Sequence, residues 1–144
     1  MPEANLIIIP ALFFGGILGI IALYFVHQDE AGMGWLGHGL HAIPATIFFT
    51  FISMNVSYAL ALIGSSINVT WQIELAVRVV VAIIAMLKVS AAAAIVGRVG
   101  EKFPHTVTMG ALIFAAPYAW QFLGPTLTKA LPFLSFSFLR FWCK

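Results

Sequence analysis

Charged residues are scarce in this chain of 144 residues: seven lysines and arginines and five aspartates and glutamates make up only 8% of it. A soluble domain carries about 25% charged residues, whereas this chain is 62% hydrophobic and has a mean hydropathy of +1.03. The composition therefore predicts an integral membrane protein. The net charge of +2 is small and the basic residues form no run, which argues against nucleic acid as a partner.

The sequence has almost no cysteine and lacks the common catalytic motifs. Cys143 is the single cysteine, so the sequence has neither a disulfide framework nor a cysteine-based metal motif. It contains no glycine-rich phosphate loop, no serine–histidine–aspartate arrangement and no paired carboxylates that would line a cleft. No catalytic residue can therefore be assigned, and we expect no catalytic activity of the chain's own.

Long apolar runs are what the sequence has in place of charge, and four of them reach the roughly 20 residues that a helix needs to cross a bilayer. The runs do not alternate in polarity, which predicts an all-α fold rather than a barrel. Short connections favour antiparallel neighbours, and so an up-and-down four-helix bundle in a single transmembrane domain, 1–144. The predicted spans are 6–26, 36–63, 71–97 and 107–130, followed by an interfacial tail, 131–144.

The orientation of the predicted bundle rests on a small charge bias. Lys129, Arg140 and Lys144 fall on the side of the two termini, and Arg98 and Lys102 fall on the other side. Lysine and arginine near span ends favour the cytoplasmic side. We therefore expect both termini to be cytoplasmic.

All four histidines are predicted to lie at one end of the bundle, which we call the histidine end. His27 ends the first span, and His105 precedes the fourth. His38 and His41 begin the second span and share one helix face. With a carboxylate such as Asp29, this set predicts a site for a transition metal ion or haem. Two alternatives stay open: a pH-responsive or proton-handling cluster, and histidines that the interface simply tolerates.

The third span carries a stripe of charge formed by Glu74, Arg78 and Lys88. At about 100° per residue, Arg78 and Lys88 lie about 40° to either side of Glu74, and Lys88 is about 21 Å from Glu74 along the axis. Charges inside a membrane normally face protein or water and mark functional residues. Lys88, which has no acidic neighbour on its helix, is expected to find an acceptor on another helix or subunit, to meet water or to lose its proton. The alternative is that Glu74 and Arg78 lie near the headgroups and Lys88 extends its amine toward the surface.

Small and hydroxyl side chains mark further helix faces. Gly15 and Gly19 form a G-x-x-x-G pattern, which predicts close helix packing within the chain or between copies. A secondary polar stripe follows the second span, and its hydroxyls either pack against neighbouring helices or line a pathway, packing being the commoner role. The residues of this stripe are Thr46, Thr50, Ser53 and Ser57.

Three functions remain open at this stage. We expect an accessory or structural subunit of a larger membrane protein complex, whose partners are membrane lipids and other subunits or copies of itself. The alternative is a homo-oligomeric transporter or channel for an ion or small solute that uses the Glu74, Arg78 and Lys88 stripe. The third is a metal-binding or haem-binding membrane protein that uses the histidine end.

Overall fold

The computed structural model describes residues 6–29, 35–64, 68–95 and 102–135, without the side chains of 35–40, 89–95 and 135. Over these ranges the regular structure is entirely helical, as the composition predicts. Two helices, the first and the last of the long ones, are each long and apolar enough to cross a membrane. The helices are α1 (Ile8–Asp29), α2 (Trp35–Met54), α3 (Val56–Leu62), α4 (Trp71–Ile95) and α5 (Phe103–Ala130), and a 3₁₀ turn, Pro132–Ser135, follows them.

Helices α1 and α2 form an antiparallel pair that packs through glycine. A Cβ atom added to Gly15 would lie 2.8 Å from the Cα of Ile47, and one added to Gly19 would lie 3.2 Å from the Cα of Ile43. The residue number of the partner decreases as that of the glycine increases, so the two helices run in opposite directions. The G-x-x-x-G pattern of the first span is therefore used inside the chain, where it lets the two backbones approach closely.

Helix α5 is antiparallel to α1 and to α4. Its contacts with α1 include a parallel stack of His105 on Phe25, with ring centroids 4.4 Å apart, and an edge-to-face contact of Trp120 with Phe14. α2 also contacts both α4 and α5. The four long helices therefore alternate in direction along the chain.

The second predicted span, 36–63, is not one continuous helix, which corrects the prediction. The chain bends by 97° at Asn55, between α2 and α3. The Asn55 side chain donates to the carbonyls of Phe51 and Ile7 and accepts from the N–H of Ile7, at 2.7 Å. These bonds tie the end of α2 to the residue before α1, and α3 leaves the break to pack against α4. The apolar run continues past Asn55. The helix nevertheless ends there, because the Asn55 side chain bonds to backbone groups.

The close contact between α1 and α2 generates a test with a matched pair of variants. We expect Gly15→Ala to destabilise the protein by about 1–3 kcal/mol, because the new methyl group forces the Ile47 backbone away. Gly16→Ala is expected to be neutral or to stabilise it by about 0.5–1 kcal/mol, since no described atom lies within 4 Å of the added Cβ. Thermal unfolding in detergent measures both. Equal effects of the two variants would contradict this packing.

Candidate functional site

Among the residues that the structure describes, one cation is buried in the interior of the bundle, Arg78 of α4. Its Nη2 lies 2.9 Å from a carboxylate oxygen of Glu74, one turn earlier on the same helix. Its Nε donates to the carbonyl of Ser53 at 3.2 Å, and its Nη1 donates to the hydroxyl of Tyr118 at 3.5 Å. The guanidinium also lies over the Tyr118 ring, 5.3 Å from its centroid. Three helices therefore meet at this one side chain, which is only 10% exposed.

The position of Arg78 follows from the way α2 ends. The last carbonyls of a helix have no partner within that helix, and together they carry a partial negative charge. The Ser53 carbonyl belongs to the last turn of α2 and points to Arg78. The Ser53 hydroxyl bonds in turn to the Ile113 carbonyl of α5, at 2.9 Å. A cation at this point thus satisfies an acceptor that the break at Asn55 leaves inside the protein.

The residues of the charged stripe lie at different levels along the bundle. Arg78 contacts Tyr118, which is about 3 Å along α5 from the Trp120 that meets Phe14 of α1. Arg78 also contacts Ser53, two residues before the Asn55 that bonds to Ile7, so it lies toward the end of the bundle where α2 ends and α1 begins. Lys88 is about 15 Å further along α4, is exposed, and lies close to the histidine end. The paired arginine thus lies toward the end of α2, and the exposed lysine lies toward the histidine end.

The hydroxyl stripe of the second span is divided by the bend. Thr46, Thr50 and Ser53 are buried on α2, whereas Ser57 lies beyond the break on α3 and is half-buried. Thr46 bonds to the carbonyl of Ala42 in its own helix. Thr50 is fully buried, and its hydroxyl has no hydrogen-bond partner in the described part of the chain. The hydroxyls of Thr46 and Ser53 both bond to backbone carbonyls, one in the same helix and one in a neighbouring helix. Such bonds are typical of a face that packs against other helices.

A second polar cluster joins α1 to α5 at the histidine end. Asp29, the last residue of α1, accepts from the backbone N–H of Lys102 at 2.9 Å, and its other oxygen lies 3.3 Å from the Lys102 ammonium. His105 Nδ1 lies 2.6 Å from the same carboxylate, and Phe25 covers the His105 ring. The Asp29 side chain is only 1% exposed. It therefore provides the negative charge that stabilises the N-terminus of α5.

The remaining histidines come to the same end without forming a metal site in the described region. His27 is half-buried near the end of α1, and His41 is exposed in the second turn of α2. No three histidine, cysteine, aspartate or glutamate side chains are grouped for a metal ion within the ranges that the structure covers. The side chain of His38 lies outside those ranges. Metal or haem binding by His27, His38, His41 and His105 therefore stays a prediction.

Two residues that form partly buried polar contacts, Tyr118 and Asn55, are not among the site residues predicted from the sequence. Tyr118 was missed because a tyrosine in an apolar run has no spacing that relates it to an arginine on another helix. Asn55 lies inside the second apolar run, and the length of that run gives no indication that a helix ends there. A polar amide in the middle of an apolar run, where lipid offers no partner, is the signal that could have indicated the break.

Comparison of the chain with known protein families, with curated proteins and with solved structures finds no match. The arrangement of its own residues is therefore the basis for any functional assignment.

The Arg78 contacts generate a stability prediction. We expect Arg78→Met to destabilise the protein by about 3 kcal/mol, because it leaves Glu74 and the Ser53 carbonyl without their partner in the interior. The double variant Arg78→Met, Glu74→Gln is expected to be more stable than Arg78→Met, since it removes the unpaired charge. Thermal unfolding of the three proteins in one detergent measures the order. A double variant no better than the single one would mean that Glu74 does not depend on Arg78.

The Asp29 contacts generate a further prediction. We expect Asp29→Ala to cost about 1–3 kcal/mol of stability, because the N–H of Lys102 and the His105 ring lose their acceptor. Asp29→Asn keeps an acceptor oxygen and is expected to lose less. Hydrogen exchange at the first turn of α5 should rise most in Asp29→Ala. Unchanged exchange in that turn, with normal stability, would show that Asp29 does not anchor α5.

Proposed function

We propose that the chain is a membrane-embedded structural subunit of a larger membrane protein complex, without catalytic activity of its own. In this proposal α1, α2, α4 and α5 each cross the membrane, and α3 runs along one face of it. The length of α2 supports this, because its 20 residues extend about 30 Å, close to the thickness of the hydrocarbon core.

The observation that carries the proposal is the pairing of Arg78. A solute pathway needs polar groups that face water and can exchange partners, whereas Arg78 is buried and bound to Glu74, Ser53 and Tyr118 at once. Such a group holds helices in place. This buried cation thus has a structural role within the described bundle, which favours a subunit that presents a fixed surface to its neighbours.

The outer surface of the bundle supports the same proposal. The outward face of α4 exposes Val79, Val80, Ile83, Ile84 and Leu87. Side chains of this kind suit lipid or the transmembrane helices of another protein equally well. A chain that consists almost wholly of membrane helices would meet its partners through such faces.

The second candidate is the homo-oligomeric transporter, and one observation favours it. Glu74 is 33% exposed although it forms an ion pair, and it lies close to the break between α2 and α3. Interrupted helices with a charged group nearby are a common feature of transporter sites. In that function Glu74 and Lys88 would face a pathway formed between copies of the chain.

Purification from its native membrane in a mild detergent tests the proposal. We expect other membrane proteins to copurify with the chain in fixed ratio, and chemical cross-links to join them to α4. The purified chain alone should give no solute flux in liposomes. The matched variant is Lys88→Met, which removes an exposed cation of the charged stripe while leaving the buried contacts of Arg78 intact.

Two results would overturn the structural-subunit proposal. One is a monodisperse monomer, obtained from native membranes under conditions that keep known complexes intact. The other is solute flux by the chain alone that Lys88→Met abolishes, which would establish the transporter instead.

A further inference from the structure

We propose that Lys88 binds the phosphate group of an anionic phospholipid in the leaflet at the histidine end. This site is independent of the function proposed above, since a subunit and a transporter would both meet this lipid. Three features of Lys88 support this site: the lack of an acceptor within the described bundle, the depth of the lysine, and the side chains around it.

Lys88 has no acceptor among the residues whose side chains are described. Asp29 and Glu74 are the two acidic residues of that set, and both are engaged elsewhere. Asp29 binds Lys102 and His105, and Glu74 binds Arg78. The ammonium group of Lys88 therefore needs an anion that the described bundle does not supply, or water.

The depth of Lys88 corresponds to a headgroup phosphate. Met86 of α4 faces Gly110 of α5, about 8 Å along that helix from His105. Lys88 is about 3 Å beyond Met86 in the direction of His105, so it lies within about 5 Å of the level where His105 stacks on Phe25. From that level a lysine can extend its amine to the membrane surface while its methylene groups stay in the apolar layer.

The surroundings of Lys88 suit the rest of a lipid molecule. Ile84, one turn earlier, and Leu87, the preceding residue, are both exposed and apolar. They continue the outward face of α4 toward the middle of the bundle. A phospholipid with its phosphate on Lys88 would lay an acyl chain along this face. The partner carboxylate expected from the sequence would instead have to come from a protein at the level of the headgroups.

The test compares lipid retention in three proteins taken from vesicles of phosphatidylcholine and phosphatidylglycerol and measured by native mass spectrometry. We expect the wild-type chain to retain phosphatidylglycerol in preference to phosphatidylcholine. Lys88→Met should weaken this preference about fivefold, since one lysine at a membrane surface contributes about that factor. Lys88→Arg should keep it. Lys129→Met is the matched control, because it removes an exposed lysine from the other end of α5.

The outcomes that would overturn the lipid site are distinct. Equal losses in Lys88→Met and Lys129→Met would mean that only total charge matters. Release of the bound phosphatidylglycerol by inorganic phosphate would mean a simple anion site. Loss of a copurifying protein from Lys88→Met, with lipid retention unchanged, would mean that Lys88 binds a protein carboxylate. Circular dichroism of the variants confirms that each one is folded before these comparisons are made.

Discussion

Arg78 donates hydrogen bonds to the end of α2, to Tyr118 of α5 and to Glu74 of its own helix, and the arrangement of the bundle depends on these bonds. In an apolar interior an unpaired guanidinium or an unpaired helix carbonyl is costly. The hydrogen bond between them removes the cost of burying each group without a partner. Helices α2, α4 and α5 can therefore meet at this point only in positions where the guanidinium reaches its three acceptors.

The contact at Arg78 requires α2 to end where it does, and Asn55 is the residue that ends it. By bonding to both backbone groups of Ile7, the Asn55 amide joins the end of α2 to the beginning of α1. At the opposite end of the bundle, Asp29 joins the end of α1 to the beginning of α5. Between these two points the glycines of α1 pack against α2. Polar groups thus hold the helix ends, and small residues determine how closely the helices approach.

The sequence predicted the helices well because long apolar runs and short connections leave few alternatives. It could not predict the levels of Arg78 and Lys88 relative to the other helices, because spacing along one helix says nothing about how far that helix is displaced relative to its neighbours. The same limit applies to the site at α5: nothing in the spacing of Asp29 and His105 shows that they touch. The ion pair of Glu74 with Arg78 could be predicted, since both residues lie on one helix at a separation that favours pairing.

The distribution of charge between interior and surface separates two kinds of role. Arg78 and Asp29 are buried and bound by several partners, so replacing either one alters the fold before it alters any interaction with another molecule. Lys88 is exposed and has no partner among the described side chains, so its interactions have to be made with lipid, water or another protein. Glu74 lies between the two classes, because it is bound to Arg78 and still one-third exposed. Binding partners should therefore be sought first on the outer face of α4, which carries Lys88.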